Sequence, residues 1–211
     1  MVNVGIAGIG FMGMIHYLGY QKVRGARVRA VCEKIPERLA GDWRTIKGNF
    51  GPAGRKMDLS GIAKYSRIEE MLADPNVDMI DICLPPHAPA ETAIAALQAG
   101  THVLCEKPIA LRTADAQRMV KTAQKAGKLL MIAHVLPFFP AYRFAYRTIT
   151  SGKYGRLRDA HFTRIISDPL WVSDFYDPNG CGGPAVPALP PAAPFSGPSR
   201  MRGRCRGMPP A

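Results

Sequence analysis

The stretch "VNVGIAGIGFMGMIHYLGY", residues 2–20, decides the fold. Val2 to Ala7 make a short β-type run, a glycine-rich turn follows, and helix-compatible sequence extends from about Met12 to Val23. Within the turn, Gly8, Gly10 and Gly13 stand in G-x-G-x-x-G order. That spacing is weak evidence when alone, but a strand before it and a helix after it form the context in which it binds a dinucleotide. Gly8 then permits the tight turn, Gly10 lets a pyrophosphate approach the backbone, and Gly13 lets helix and strand pack closely. Phe11 and Met12 open the helix beside Gly13, where free N–H groups face the phosphates. Glycine used merely for turning is the competing reading.

Twenty residues beyond Gly13, Glu33 closes the second strand, "RVRAVC" (27–32). A carboxylate at that distance accepts hydrogen bonds from the ribose hydroxyls of the adenosine. It would repel a 2′-phosphate, so NAD is favoured. Lys34 and Arg38 lie close enough in sequence to accommodate the phosphate of NADP.

Farther out, strands and helices alternate. Helix-compatible sequence runs from about residue 36 to 46, turn formers fill 47–61, and a short amphipathic helix covers 67–74. "VDMIDICL" (77–84), "HVLCE" (102–106) and "LLMIAHV" (129–135) are strands. Between them lie a helix at 88–100 and a second at 113–127, the latter opened by a threonine cap, and both end in glycine. This rhythm calls for a doubly wound parallel sheet of the Rossmann type, with helices on both faces. Residues 157–167 change to strict alternation, which suits a strand of an antiparallel sheet with one buried face.

Composition narrows the function classes. Apolar content of 47% and charged content of 21% are those of an ordinary globular protein. No uninterrupted apolar run nears the roughly 20 residues of a bilayer span, and no basic region precedes the first apolar stretch. No membrane partner and a cytoplasmic location are therefore expected. The five cysteines include no CxxC pair, so no metal site is expected, and Cys32, Cys83 and Cys105 suit buried hydrophobic positions. The net charge of +12 includes four arginines after residue 179, and the basic residues elsewhere are spread out. Nucleic acid is not an expected partner of the body of the chain.

"GIAGIGFMG", "AVCEK", "DICLPPHAPAETAIAALQAGTHVLCEKPIA" and "MIAHVLPFFPAY" together resemble the Gfo/Idh/MocA oxidoreductases over roughly residues 2–180. The resemblance implies a dehydrogenase that transfers hydride between a nicotinamide cofactor and a sugar- or cyclitol-like alcohol or carbonyl. It implies an N-terminal dinucleotide-binding domain and a C-terminal antiparallel-sheet domain that shapes the substrate pocket. By the same resemblance, Lys107 of "EKP" is the catalytic lysine near the nicotinamide, where it stabilises alkoxide charge or relays a proton. Glu106 orients Lys107 or the backbone, and Leu84, Pro85 and His87 form the loop touching the nicotinamide half.

Two departures matter. Pro137 precedes Phe138 and Phe139 where the family usually has an arginine. Farther on, Gly182 and Gly183 match a Gly-Gly turn, yet "PALPP" stands where an aspartate and a histidine should follow. No Asp, Glu or His occurs after Asp177, so the usual group to accept the hydroxyl proton is missing. His134 and His161 are stand-ins that more simply serve strand positions.

The expected organisation is a Rossmann domain over 1–136, then a connecting helix and the first strand of a truncated substrate domain over 137–178. A Pro/Gly/Ala/Arg-rich disordered tail over 179–211 completes it. A reading frame shifted near residue 186 would produce such a tail, whereas a basic arm is the competing reading. The unpaired strand at 157–167 would rest on the first domain or join a second copy, giving a homo-oligomer. Two functions remain: dehydrogenase by descent, and nucleotide-binding module without catalysis.

Overall fold

The computed structural model describes residues 1–48, 50–85, 88–166 and 201–207. Six strands, β1 (Val2–Ala7), β2 (Ala26–Cys32), β3 (Ala63–Tyr65), β4 (Met79–Ile82), β5 (His102–Cys105) and β6 (Leu130–Ile132), form one sheet. All pairs are parallel, in the order β3-β2-β1-β4-β5-β6. Parallel neighbours need crossovers, which are supplied by α1 (Phe11–Tyr20), α2 (Pro36–Leu39), α3 (Ile68–Leu72), α4 (Pro89–Gln98) and α5 (Thr113–Ala126). Strand order reverses between β1 and β4. In a doubly wound sheet such a reversal opens a crevice at the carboxyl ends of the strands.

Each face of the sheet has its own core, because side chains alternate along a strand. Val4 and Ile6 of β1 join Met14, Tyr17, Trp43 and Leu59 on the α1 face. Ile80 and Ile82 of β4 join Leu97, Met119 and Ala123 on the face covered by α4 and α5. The residue between those isoleucines, Asp81, is turned toward α1 and fully buried.

Several expectations need correction. The helix expected over 36–46 ends at Leu39, because Gly41 turns the chain at φ +94°. Trp43 is then free to enter the core, and its indole N–H donates to the Arg38 carbonyl at 2.8 Å. The three-residue strand β3 has no counterpart among the expected strands. Thr113 does not cap α5: the helix begins at Thr113, with Arg112 at the N-cap and no side-chain cap bond. At its other end Gly127 adopts the left-handed conformation, φ +63°, as a C-terminal glycine should.

Beyond β6 come a 3-10 turn (Leu136–Phe138), helix α6 (Pro140–Thr150) and strand β7 (Ala160–Ile166). β7 is neither unpaired nor in an antiparallel pair. It pairs in parallel with β8 (Met201–Gly207), inside the tail expected to lack structure. The sequence alternates there: Arg202, Arg204 and Arg206 occupy every second position, the period of an extended strand. Because 34 residues separate the two strands, the pairing is free of the hairpin geometry that would force an antiparallel partner. The Gly-Gly turn, "PALPP" and the point of the expected frame change lie outside the described residues. None of the described helices is long and apolar enough to cross a membrane.

Candidate functional site

The glycine turn sits at the strand-order reversal. Gly8 has φ +91°, and a Cβ there would lie 2.7 Å from the Cys83 carbonyl oxygen. A Cβ on Gly13 would lie 2.0 Å from the Gly8 carbonyl oxygen, so helix and turn meet at a distance only glycine allows. Gly10 differs: nothing lies within 4 Å of the Cβ it would carry. It is the N-cap of α1, whose first turn carries no acidic residue and no side-chain cap. The first N–H groups of the helix, at Phe11 and Met12, therefore have no side-chain cap beside the open space at Gly10. Phe11 packs edge-on against Phe50, with ring centroids 4.8 Å apart, so Phe50 flanks the helix start.

Glu33 lies just past β2 and is held firmly. Its two oxygens accept the backbone N–H of Ile9 at 2.7 Å and of Ile35 at 2.9 Å. The carboxylate thus leans over the glycine turn itself. Arg38 reaches the same place, with one guanidinium N–H 3.4 Å from the Ile9 carbonyl oxygen. Its Nε is buried and has no hydrogen-bond partner among the described residues.

Leu84 and Pro85 follow β4, and Leu84 Cδ2 would lie 3.0 Å from a Cβ on Gly8. His87 lies outside the described residues. At the end of β5, Glu106 is buried and Lys107 is exposed. Glu106 Oε2 accepts the backbone N–H of Lys107 at 3.1 Å, and the Lys107–Pro108 peptide is cis. Residues from the turns after β1, β2, β4 and β5 are thereby gathered at one edge of the sheet. His134 lies exposed beyond β6, and His161 falls in β7, where only the backbone is described.

Sequence reasoning missed the buried polar cluster beneath this edge. His16 on α1 places Nδ1 2.8 Å from Asp81 Oδ2 and Nε2 3.2 Å from Glu106 Oε1. The Tyr20 hydroxyl donates to Asp81 Oδ2 at 3.0 Å, and Cys83 Sγ lies 3.5 Å from His16 Nδ1. Two signals were available: an acid inside the apolar run "VDMIDICL", and a histidine three residues after Gly13. Burial alone would lower the His16 pKa. Hydrogen bonds to Asp81, Cys83 and Glu106 outweigh it and push the value up to about 12. Burial also drives the Tyr20 phenol far above its usual range and the Cys83 thiol up to about 12. Burial likewise raises Cys32 to about 11 and Cys105 to about 12, so none of the three is a ready nucleophile.

His16, Asp81 and Cys83 bring one ligand atom each within 4.8 Å of one another, a grouping that could hold a metal ion. The 2.8 Å Nδ1–Oδ2 separation is that of a hydrogen bond, and Tyr20 donates to the same oxygen. A hydrogen-bonded ion pair accounts for the cluster more simply. A depression of about 450 Å³ lies at the opposite end of the sheet, beside Asp74, Asp78, His102 and Lys128. It includes none of the motif residues, so the glycine turn locates the site better than cavity size does.

A family model described as "Oxidoreductase family, NAD-binding Rossmann fold" matches residues 2–134. The chain is 29% identical over 152 residues to a 4-carboxy-2-hydroxymuconate-6-semialdehyde dehydrogenase of Sphingobium sp., covering 72% of this chain and 44% of the relative. It is 28% identical over 169 residues to a myo-inositol 2-dehydrogenase of Thermotoga maritima, covering 80% and 46%. Among solved structures, the WlbA dehydrogenase of Bordetella pertussis, in complex with NADH and UDP-GlcNAcA, superposes with a TM-score of 0.68 at 25% identity. That match covers 82% of this chain and 46% of the other. The chain spans less than half the length of these relatives.

Proposed function

The chain belongs to the Gfo/Idh/MocA oxidoreductases, a family with an NAD-binding Rossmann fold, and from that premise we propose that residues 1–136 bind a nicotinamide adenine dinucleotide across the carboxyl edge of the sheet. The observation that carries this is the contrast within the glycine turn. Gly8 and Gly13 are hemmed in by backbone, whereas Gly10 faces open space at an uncapped helix start. That is the shape and polarity a diphosphate needs.

The N–H groups at Gly10, Phe11, Met12 and Gly13 hold the diphosphate. Glu33, fixed by two backbone amides, accepts the adenosine ribose hydroxyls. Arg38 is where a 2′-phosphate would be met, since its buried Nε lacks a partner among the described residues. Leu84 and Pro85, which follow β4 beside Gly8, bound the nicotinamide half. A bound nicotinamide supplies the hydride acceptor or donor. Lys107 Nζ then holds a positive charge or a proton beside the reacting oxygen of a sugar- or cyclitol-like alcohol or carbonyl.

A second reading, nucleotide binding without turnover, is favoured by one observation: residues 178–211 contain no Asp, Glu or His to take the hydroxyl proton. Fluorescence titration with NADH and NADPH, followed by a dehydrogenase screen on inositols and sugars, tests both. Binding with turnover supports the dehydrogenase, and binding without it supports the module. Failure to bind either nucleotide defeats both.

A further inference from the structure

We propose that His16 is a positioning residue. By bridging Asp81 of β4 and Glu106 after β5, it ties the helix of the glycine turn to the turn that presents Lys107. This extends the role given above to Lys107 and rests on it.

The argument begins with donors and acceptors. His16 Nδ1 meets Asp81 Oδ2 at 2.8 Å and Nε2 meets Glu106 Oε1 at 3.2 Å. A neutral imidazole carries one N–H, so one carboxylate would then face a bare lone pair. The doubly protonated ring serves both, and it balances charge in a place where an uncompensated carboxylate is strongly destabilising. Asp81 is fully buried and Glu106 nearly so. Among the described residues, the other ionisable groups around the ring are Tyr20 and Cys83, both neutral in the physiological range because burial raises their pKa values. His16 is thus the cation of the cluster.

Glu106 transmits the effect. One oxygen forms the ion pair with His16, while the other accepts the backbone N–H of Lys107 at 3.1 Å. Without His16, Oε1 loses its partner and the carboxylate is free to rotate toward water, releasing the Lys107 amide. The same ring sits one helical turn from the glycines, so cofactor phosphate and Lys107 share a single buried anchor.

Amide hydrogen exchange in the cofactor-free full chain tests this. In His16→Leu, the Lys107 amide is expected to exchange roughly tenfold faster, the factor for losing one hydrogen bond of ordinary strength. Core amides of Val103 and Cys105 should stay within about twofold, and His16→Gln, which keeps one donor, should restore part of the protection. Unchanged Lys107 exchange in a folded His16→Leu chain overturns the proposal. A change spread equally over Val103, Cys105 and Lys107 also overturns it. If that variant fails to fold, imidazole ¹⁵N shifts in the wild-type chain decide: both ring nitrogens protonated at about pH 8 supports the bridge, and a neutral tautomer ends it. These readouts need no nucleotide. A chain that fails to bind NADH would therefore defeat the cofactor reading while leaving the His16 bridge to stand or fall by its own exchange rates.

Discussion

The two halves of the described chain treat their apolar residues differently. Up to β5, many large side chains are enclosed: Trp43, Ile6, Ile80, Ile82 and Leu97 are wholly buried. From residue 129 to 159 none is wholly buried, and several lie in the open. Leu129 is 72% exposed, Phe138 63%, Phe144 72% and Tyr154 74%. Helix α6 has no buried residue, although its sequence is amphipathic. The first region carries its own core and needs no further chain to explain it. The second offers an apolar surface larger than isolated exposure would explain, and among the described residues nothing covers it.

Truncation at matched aromatic positions should separate the regions most widely. Trp43→Ala is expected to cost about 3–5 kcal/mol in a denaturant titration. It removes both core volume and the indole bond to Arg38. A cost similar to that of Phe144→Ala would break the distinction.

The alkaline behaviour comes next, since it reports on the polar anchor inside the first region. The His16 pKa is raised on folding. Its stabilisation is complete below its unfolded value of about 6.5 and fades as pH climbs toward the folded value. Between about pH 7 and pH 8.5, before an unfolded thiol titrates, stability should fall by at most about 1.4 kcal/mol per pH unit. Tyr20 and Cys83, also raised, add losses in the same direction at higher pH. His16→Gln should flatten the lower part of that slope. A slope unchanged by the substitution would remove His16 from the account.

The smallest effect belongs to the exposed face. Phe144→Ala should change unfolding free energy by less than about 0.5 kcal/mol. A loss of more than about 2 kcal/mol would mean that the helix is covered in solution.

The parallel sheet was legible because glycines, apolar runs and helix ends each pointed the same way. Gly8, Gly10 and Gly13 divided into tight turn, open approach and close packing once their spacing was set between a strand and a helix. What the sequence hid were arrangements made by distant residues. β3 is three residues long and too short to show a period. Helix α2 stops early because the chain turns at Gly41, and Trp43 then enters the core. His16, Asp81 and Glu106 are brought together by three separate elements, so no local pattern announces them. Even so, Asp81 within an apolar run should have prompted a search for its partner. The pairing of β7 with β8 was obscured by proline and glycine counts over the whole tail, which hid the alternate arginines.

The measurement closest to the central claim is an NADH fluorescence titration of the wild-type chain beside Gly10→Ala. Because no atom lies within 4 Å of the added Cβ, the variant should stay folded, with a stability change under about 1 kcal/mol from the altered N-cap. Its methyl group would nevertheless occupy the approach reserved for the diphosphate. A dinucleotide at this turn predicts saturable wild-type binding and at least roughly tenfold weaker binding by the folded variant. Equal affinity in the two chains would contradict it and place the nucleotide elsewhere.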